Sequence, residues 1–159
     1  MLPIKKILWT TDFSDASKSS LKAADELALH FESDLYVLHV VGPIPPLRLS
    51  EYPTAGPAKA GFNIAAYREE LEKDASNELR EIVDNELHKK IQAKILVSHG
   101  DAAKEIVRTA DEKGADLIVI STHGRTGWKH LLFGSVAEHV VRNAHVPVLV
   151  IQSESEKEG

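Results

Sequence analysis

The chain has 159 residues, 43% hydrophobic and 27% charged, with no cysteine and a net charge of -5. These figures describe one ordinary domain with a proper apolar core, and they exclude a disordered chain, a disulfide scaffold, thiolate metal sites and cysteine nucleophiles. The acidic balance also removes any broad attraction to nucleic-acid backbones, leaving local basic groups as the means of holding an anion.

Five short apolar runs alternate with segments of helical spacing. Ile4 to Trp9 reads as a first strand, followed by a helix whose stripe is Leu21, Ala24, Leu27, Ala28 and Phe31, capped by Ser14 or Asp15. Asp34 to Val41 is the second strand. Residues 42–61, with Pro43, Pro45, Pro46, Pro53 and Pro57, form no regular element, and a loop of that length is a lid, a partner surface or disorder. Tyr67, Leu71, Ala75, Leu79 and Ile82 then share one face of a second helix. Lys94 to Val97 is a third strand, and Ile106 and Ala110 mark a third helix that Gly114 ends. Asp116 to Ile120 is the fourth strand, Val136, Val140 and Val141 lie on a fourth helix, and Pro147 to Ile151 is the last strand. The strands alternate weakly, as strands buried on both faces do. Strand and helix succeed one another throughout, which predicts a single open, doubly wound, five-stranded parallel sheet with helices on both faces. The expected layout is one domain over 1–152, then a polar tail over 153–159. No apolar run approaches the ~20 residues of a spanning helix, and the N-terminus lacks a signal-peptide layout, so the cytoplasm is the expected location.

Glycine usage marks where chemistry belongs. Gly124, Gly127 and Gly134 follow the fourth strand and precede the fourth helix. Such glycines let backbone N–H groups approach a ligand, and a helix starting at Ser135 turns its free N–H groups toward an anion, with the Ser135 hydroxyl at the cap. Arg125 and Lys129 supply positive charge for a phosphate. The same residues also fit a surface loop whose serine caps a helix, and spacing alone leaves both readings open.

The run Asp-Leu-Ile-Val-Ile-Ser-Thr-His-Gly-Arg-Thr-Gly from Asp116, with Gly-Ser-Val-Ala-Glu from Gly134 and Pro-Val-Leu-Val-Ile from Pro147, resembles the universal stress protein family. Lys6 to Ser14, Leu38 to Val41 and His99-Gly100-Asp101 resemble it too, so the likeness covers nearly the whole chain. It implies the strand order 3-2-1-4-5. It also implies ATP phosphates held by a motif of Gly, two residues, Gly, nine residues, then Gly-Ser, here Ser121, Gly124 and Gly134-Ser135, with Ser121 replacing the first glycine. Arg125, Gly127 and Val136 belong to the same phosphate-binding stretch. By the same resemblance Asp12, with Thr11 beside it, meets the adenosine, and a backbone group of Val40 meets the adenine edge. Mg²⁺ can ride on the phosphates with few protein ligands. The last strand, Pro147 to Ile151, is implied to pair with its counterpart in a homodimer.

Other function classes fare less well. A Rossmann dehydrogenase needs glycines after the first strand, where this chain has Thr10-Thr11-Asp12-Phe13-Ser14. His123, His130, His139 and His145 lack metal-ligand spacing. Three readings remain: an ATP-binding regulator without fast turnover, a dimeric scaffold that has lost nucleotide binding, and a slow ATP hydrolase. No catalytic residue and no metal ligand is assigned, and no nucleic acid or membrane is expected as a partner.

Overall fold

The computed structural model describes residues 3–44, 63–122 and 134–153. Most of the proline-rich stretch, the glycine-rich stretch from 123 to 133 and the tail from 154 lie outside the described residues. The elements in chain order are β1 (Lys6–Thr10), α1 (Asp15–Phe31), β2 (Asp34–Val41), α2 (Ile64–Glu86), β3 (Ala93–His99), α3 (Ala102–Lys113), β4 (Leu117–Thr122), α4 (Ser135–Asn143) and β5 (Val148–Gln152). All strand pairs are parallel, in the order β3-β2-β1-β4-β5. The expected doubly wound sheet is therefore the observed one.

Strand alternation divides the core into two layers. Leu8, Leu38, Val40, Ile118 and Ile120 face α3 and α4, where they meet Ala103, Ile106, Ala110, Ala137 and Val140. Ile7, Trp9, Leu35, Val37, Leu117 and Val119 face α1 and α2, against Leu21, Ala24, Ala28, Leu79 and Ile82. Trp9 is fully buried, and its indole N–H donates to Ser20 Oγ at 2.8 Å, so the largest side chain of the core carries no orphan donor.

The start of α1 and the end of α3 follow their sequence signals. Ser14 caps α1 and Gly114, at φ 63°, ends α3. Two stripes are narrower than their spacing predicts. Tyr67 is exposed because α2 first meets the core at Ala75. On α4 the buried pair is Ala137 and Val140, while Val136 and Val141 flank it at 37% and 47% exposure. Strand ends also shift. β1 begins at Lys6 rather than Ile4, where Asp116 Oδ2 accepts from the backbone N–H groups of Lys5 and Lys6 at 2.8 and 2.9 Å. That carboxylate latches β1 to the start of β4 at the amino end of the sheet, opposite the end where β4 finishes at Thr122. No described helix is long and apolar enough to cross a membrane.

Candidate functional site

In an open parallel sheet, ligands collect beyond the carboxyl ends of the strands where the winding reverses. Here the reversal falls between β1, whose chain runs on toward β2, and β4, whose chain runs on toward β5. At these strand ends lie Thr11 to Ser14, just past β1, and Ser121-Thr122, the last two residues of β4.

The turn after β1 is fixed by a directed chain of hydrogen bonds. The Phe13 N–H donates to Thr11 Oγ1 at 2.9 Å, and Ser17 Oγ donates to the Ser14 carbonyl at 2.7 Å. Thr11 and Ser17 hydroxyls lie 2.6 Å apart, and with those two bonds in place Thr11 is the donor between them. Both residues are buried, Thr11 at 4% and Ser17 at 1% exposure, so each hydroxyl needs the other. Phe13 sits at φ 65°, a left-handed conformation that costs a non-glycine residue on the order of 1–3 kcal/mol. Its ring stacks on His39 at 4.2 Å between centroids, and His39 Nδ1 lies 2.9 Å from the Thr11 carbonyl. A carbonyl can only accept, so Nδ1 carries the proton. His39 is thus a hydrogen-bonded, partly buried prop for the turn.

Asp12 projects from this turn and is exposed. Its Oδ1 accepts from the Ser14 N–H at 2.9 Å and from the Ser14 hydroxyl, and Ser14 Oγ in turn accepts from the Ser17 N–H at 3.3 Å. The carboxylate is therefore oriented by the first turn of α1. Asp15 has a different task, as the first acidic residue of that helix, 3.9 Å from Lys18.

Val40 contributes its backbone. Leu38 O accepts from the Thr11 N–H at 3.0 Å, so Leu38 turns its carbonyl toward β1; Val41 O accepts from Gly100 N at 2.9 Å and faces β3. By alternation, the N–H and C=O of Val40 point to the β1 side, just past the end of β1. The side chain of Val40 lies on the α3/α4 face.

On β4, Ser121 and Thr122 occupy opposite faces. Ser121 pairs with Ile151 and shares the parity of Val119, which faces α1 and α2. Thr122 shares the parity of Ile118 and Ile120, on the layer with Val40 and α4. The side chain that replaces the motif's first glycine therefore points away from the face that holds Val40. Thr122 is 1% exposed, and its Oγ1 is the one buried side-chain nitrogen or oxygen among the described residues without a hydrogen-bond partner. Such an orphan costs about 1–3 kcal/mol.

Across the seam, α4 begins at Ser135, but its N-cap is Gly134, at φ -65° and ψ 155°, with no side-chain cap bond. The expected cap by Ser135 is thus corrected: the serine is the first helical residue, one position too late to cap. The N–H groups of the first turn, Ser135 and Val136 included, keep their capacity for an anion. Gly124, Arg125 and Gly127 lie outside the described residues. Among the described residues no group of three or more His, Asp or Glu side chains could hold a metal ion.

Sequence reasoning missed the Thr122 hydroxyl, the positive φ of Phe13 and the Thr11–Ser17 pair. The first had a signal: a threonine closing an otherwise aliphatic strand.

The model of the universal stress protein family matches residues 3–152. The chain belongs to that family. Over 150 residues this universal stress protein family member is 37% identical to universal stress protein MJ0531 of Methanocaldococcus jannaschii, covering 93% of this chain and 82% of the relative. Its fold is similar to the solved structure of MJ0577 from the same organism, with a TM-score of 0.77 and 28% identity over 97% of this chain and 99% of that one. A universal stress protein from Archaeoglobus fulgidus, solved in complex with dAMP, shares the fold with a TM-score of 0.56 and 22% identity, covering 95% of this chain and 99% of that one.

Proposed function

We propose that this universal stress protein binds ATP at the seam between β1 and β4 and holds it as a regulatory ligand without fast turnover. The observation that carries this reading is the Val40 backbone edge, turned past the end of β1 beside an oriented Asp12. An adenine edge presents donors and acceptors that a strand's N–H and C=O can match, and a carboxylate accepts from ribose hydroxyls. Across the seam, the start of α4 at Gly134, Ser135 and Val136 suits phosphate oxygens. The family resemblance adds Gly124, Arg125 and Gly127 to the phosphate-binding residues, with Mg²⁺ accompanying the phosphates. The dAMP-bound Archaeoglobus protein supports an adenine nucleotide on this fold. Ser121 places its side chain on the α1/α2 layer, away from the layer of α4, so it does not crowd the start of α4 and is no argument for a scaffold that has lost the site.

Fast phosphoryl transfer needs a positioned base and charge neutralisation around an in-line water. Asp12, the carboxylate of the turn after β1, is held by Ser14 at the start of α1, so the site favours holding over hydrolysis. In this reading residues 1–152 form one cytoplasmic domain, with 153–159 a tail. Two copies pair through the outer side of β5, the last strand in the sheet order.

Freshly purified protein, heat-released and analysed for nucleotide, tests the reading, followed by calorimetric titration of the emptied protein. The expected result is ATP in the released fraction and saturable binding on titration. No binding at near-millimolar ATP overturns it in favour of the scaffold.

A further inference from the structure

The Thr122 hydroxyl is anomalous in its surroundings. β4 is otherwise Leu117-Ile118-Val119-Ile120-Ser121, and valine would fill the space of Thr122 without burying a polar atom. The neighbouring strand end shows how this fold treats a buried hydroxyl: Thr11 is paired with Ser17 at 2.6 Å. Thr122 has the same degree of burial and no such partner. Buried hydroxyls left without a partner are destabilising, so one placed at a strand end beside a ligand seam calls for an acceptor from outside the chain. Two further facts point to the kind of acceptor. Thr122 lies on the sheet face against which α4 packs through Ala137 and Val140. The first turn of α4 starts at Gly134 with no side chain on its N–H groups. An oxygen anion seated on that helix start would offer lone pairs to the Thr122 O–H, and phosphate is the anion that such a turn favours.

We propose that Thr122 is a ligand-binding residue whose hydroxyl donates to a phosphate oxygen of the nucleotide held at the start of α4. The inference rests on the nucleotide reading and adds to it a side chain from the end of β4. It also gives the residue a sign that a purely structural threonine does not share: the hydroxyl weakens the empty protein and strengthens the loaded one.

The experiment compares wild type, Thr122→Val and Thr122→Ser by thermal unfolding without ligand and by calorimetric titration with ATP and with pyrophosphate. The proposal expects Thr122→Val to unfold at the wild-type temperature or above it, and to bind ATP about tenfold more weakly, the loss of one charge-assisted hydrogen bond. Thr122→Ser keeps the hydroxyl and should stay within about threefold of wild type in affinity. A Thr122→Val protein that unfolds several degrees earlier, or fails to fold, has lost a partner within the chain, and the proposal falls. Equal ATP affinity in wild type and Thr122→Val overturns this inference and leaves the nucleotide reading standing. A wild type that binds neither ATP nor pyrophosphate brings down both.

Discussion

Ser121 and Gly134 stand at the two ends of the sequence motif, and the structure separates their consequences. Ser121 shares the parity of Val119, on the α1/α2 face, so Ser121→Gly should leave ATP affinity within about twofold of wild type by calorimetry. Gly134→Val puts a branched side chain at the uncapped start of α4, where phosphate oxygens need to approach, and should lose well over tenfold. Ser135→Ala removes one hydroxyl from the first helical position, a change of ~1 kcal/mol or about fivefold. A Ser121→Gly protein that binds much more tightly than wild type would show the serine obstructing the seam after all. Gly134 and Ser135 stand out in the chain by residue type and by position between an apolar strand and a helix, whereas Asp12 and Val40 enter only through the family resemblance. Facing could not be read so directly. Whether a strand-end side chain looks toward α1 or toward α4 depends on register, and register is set by pairing with residues far away, such as Ser121 with Ile151.

Elements act on the site through their ends. The first turn of α1 carries Ser14, Ser17 and the Asp12 carboxylate as one hydrogen-bonded unit, so Ser17→Ala should do more than remove a hydroxyl. It strands the Thr11 proton in a buried place, costing about 1–3 kcal/mol in chemical unfolding. It also loosens the turn that holds Asp12, so ATP affinity should fall with it. Helix α3 shows a second kind of end. Glu105 takes hydrogen bonds from Arg108, at 3.1 Å from Nε, and from Ser98 at the end of β3. The Arg108 guanidinium, and after it the Ser98 hydroxyl, hold the Glu105 carboxyl below its ordinary range. A group whose folded value is depressed stabilises the fold above its unfolded value, and that contribution disappears as pH falls through the folded value. Glu105→Gln should therefore unfold more readily than wild type near neutral pH, and the difference should shrink as the solution is acidified below about 4.5. A gap that stays constant with pH in parallel melts would mean the carboxylate charge contributes nothing. The sequence shows Glu105, Arg108 and Glu112 at helical spacing, but Ser98 joins them through the β3–α3 connection, which spacing does not reveal.

At the scale of the whole molecule, β5 is the terminal strand of the sheet on the side of the site. Pro147 O accepts from the Ile118 N–H at 3.0 Å, so by alternation Val150 turns its own N–H away from β4, toward the open edge. Proline is tolerated on an edge strand where the missing N–H faces outward. Val150→Pro should thus keep the folded chain and its β4 ladder but remove a pairing donor from the proposed dimer interface. Sedimentation should show wild type at twice 17.5 kDa and the variant at a single copy's mass; a wild-type monomer at micromolar concentration rules the dimer out. The strand order carries one more consequence, for the making of the protein. β1 is the earliest strand to be synthesised, yet it lies at the centre of the sheet and must pair with β4 as well as with β2. At ~5–20 residues per second, the ribosome delivers β4 on the order of ten seconds after β1. During that interval Ile7, Leu8 and Trp9 offer an unpaired edge to any passing strand. A nascent chain of this protein is thus most in need of a holding chaperone after β3 has emerged and before β4 has, and the proposed nucleotide seam, which forms where the two halves join, exists only once that wait is over.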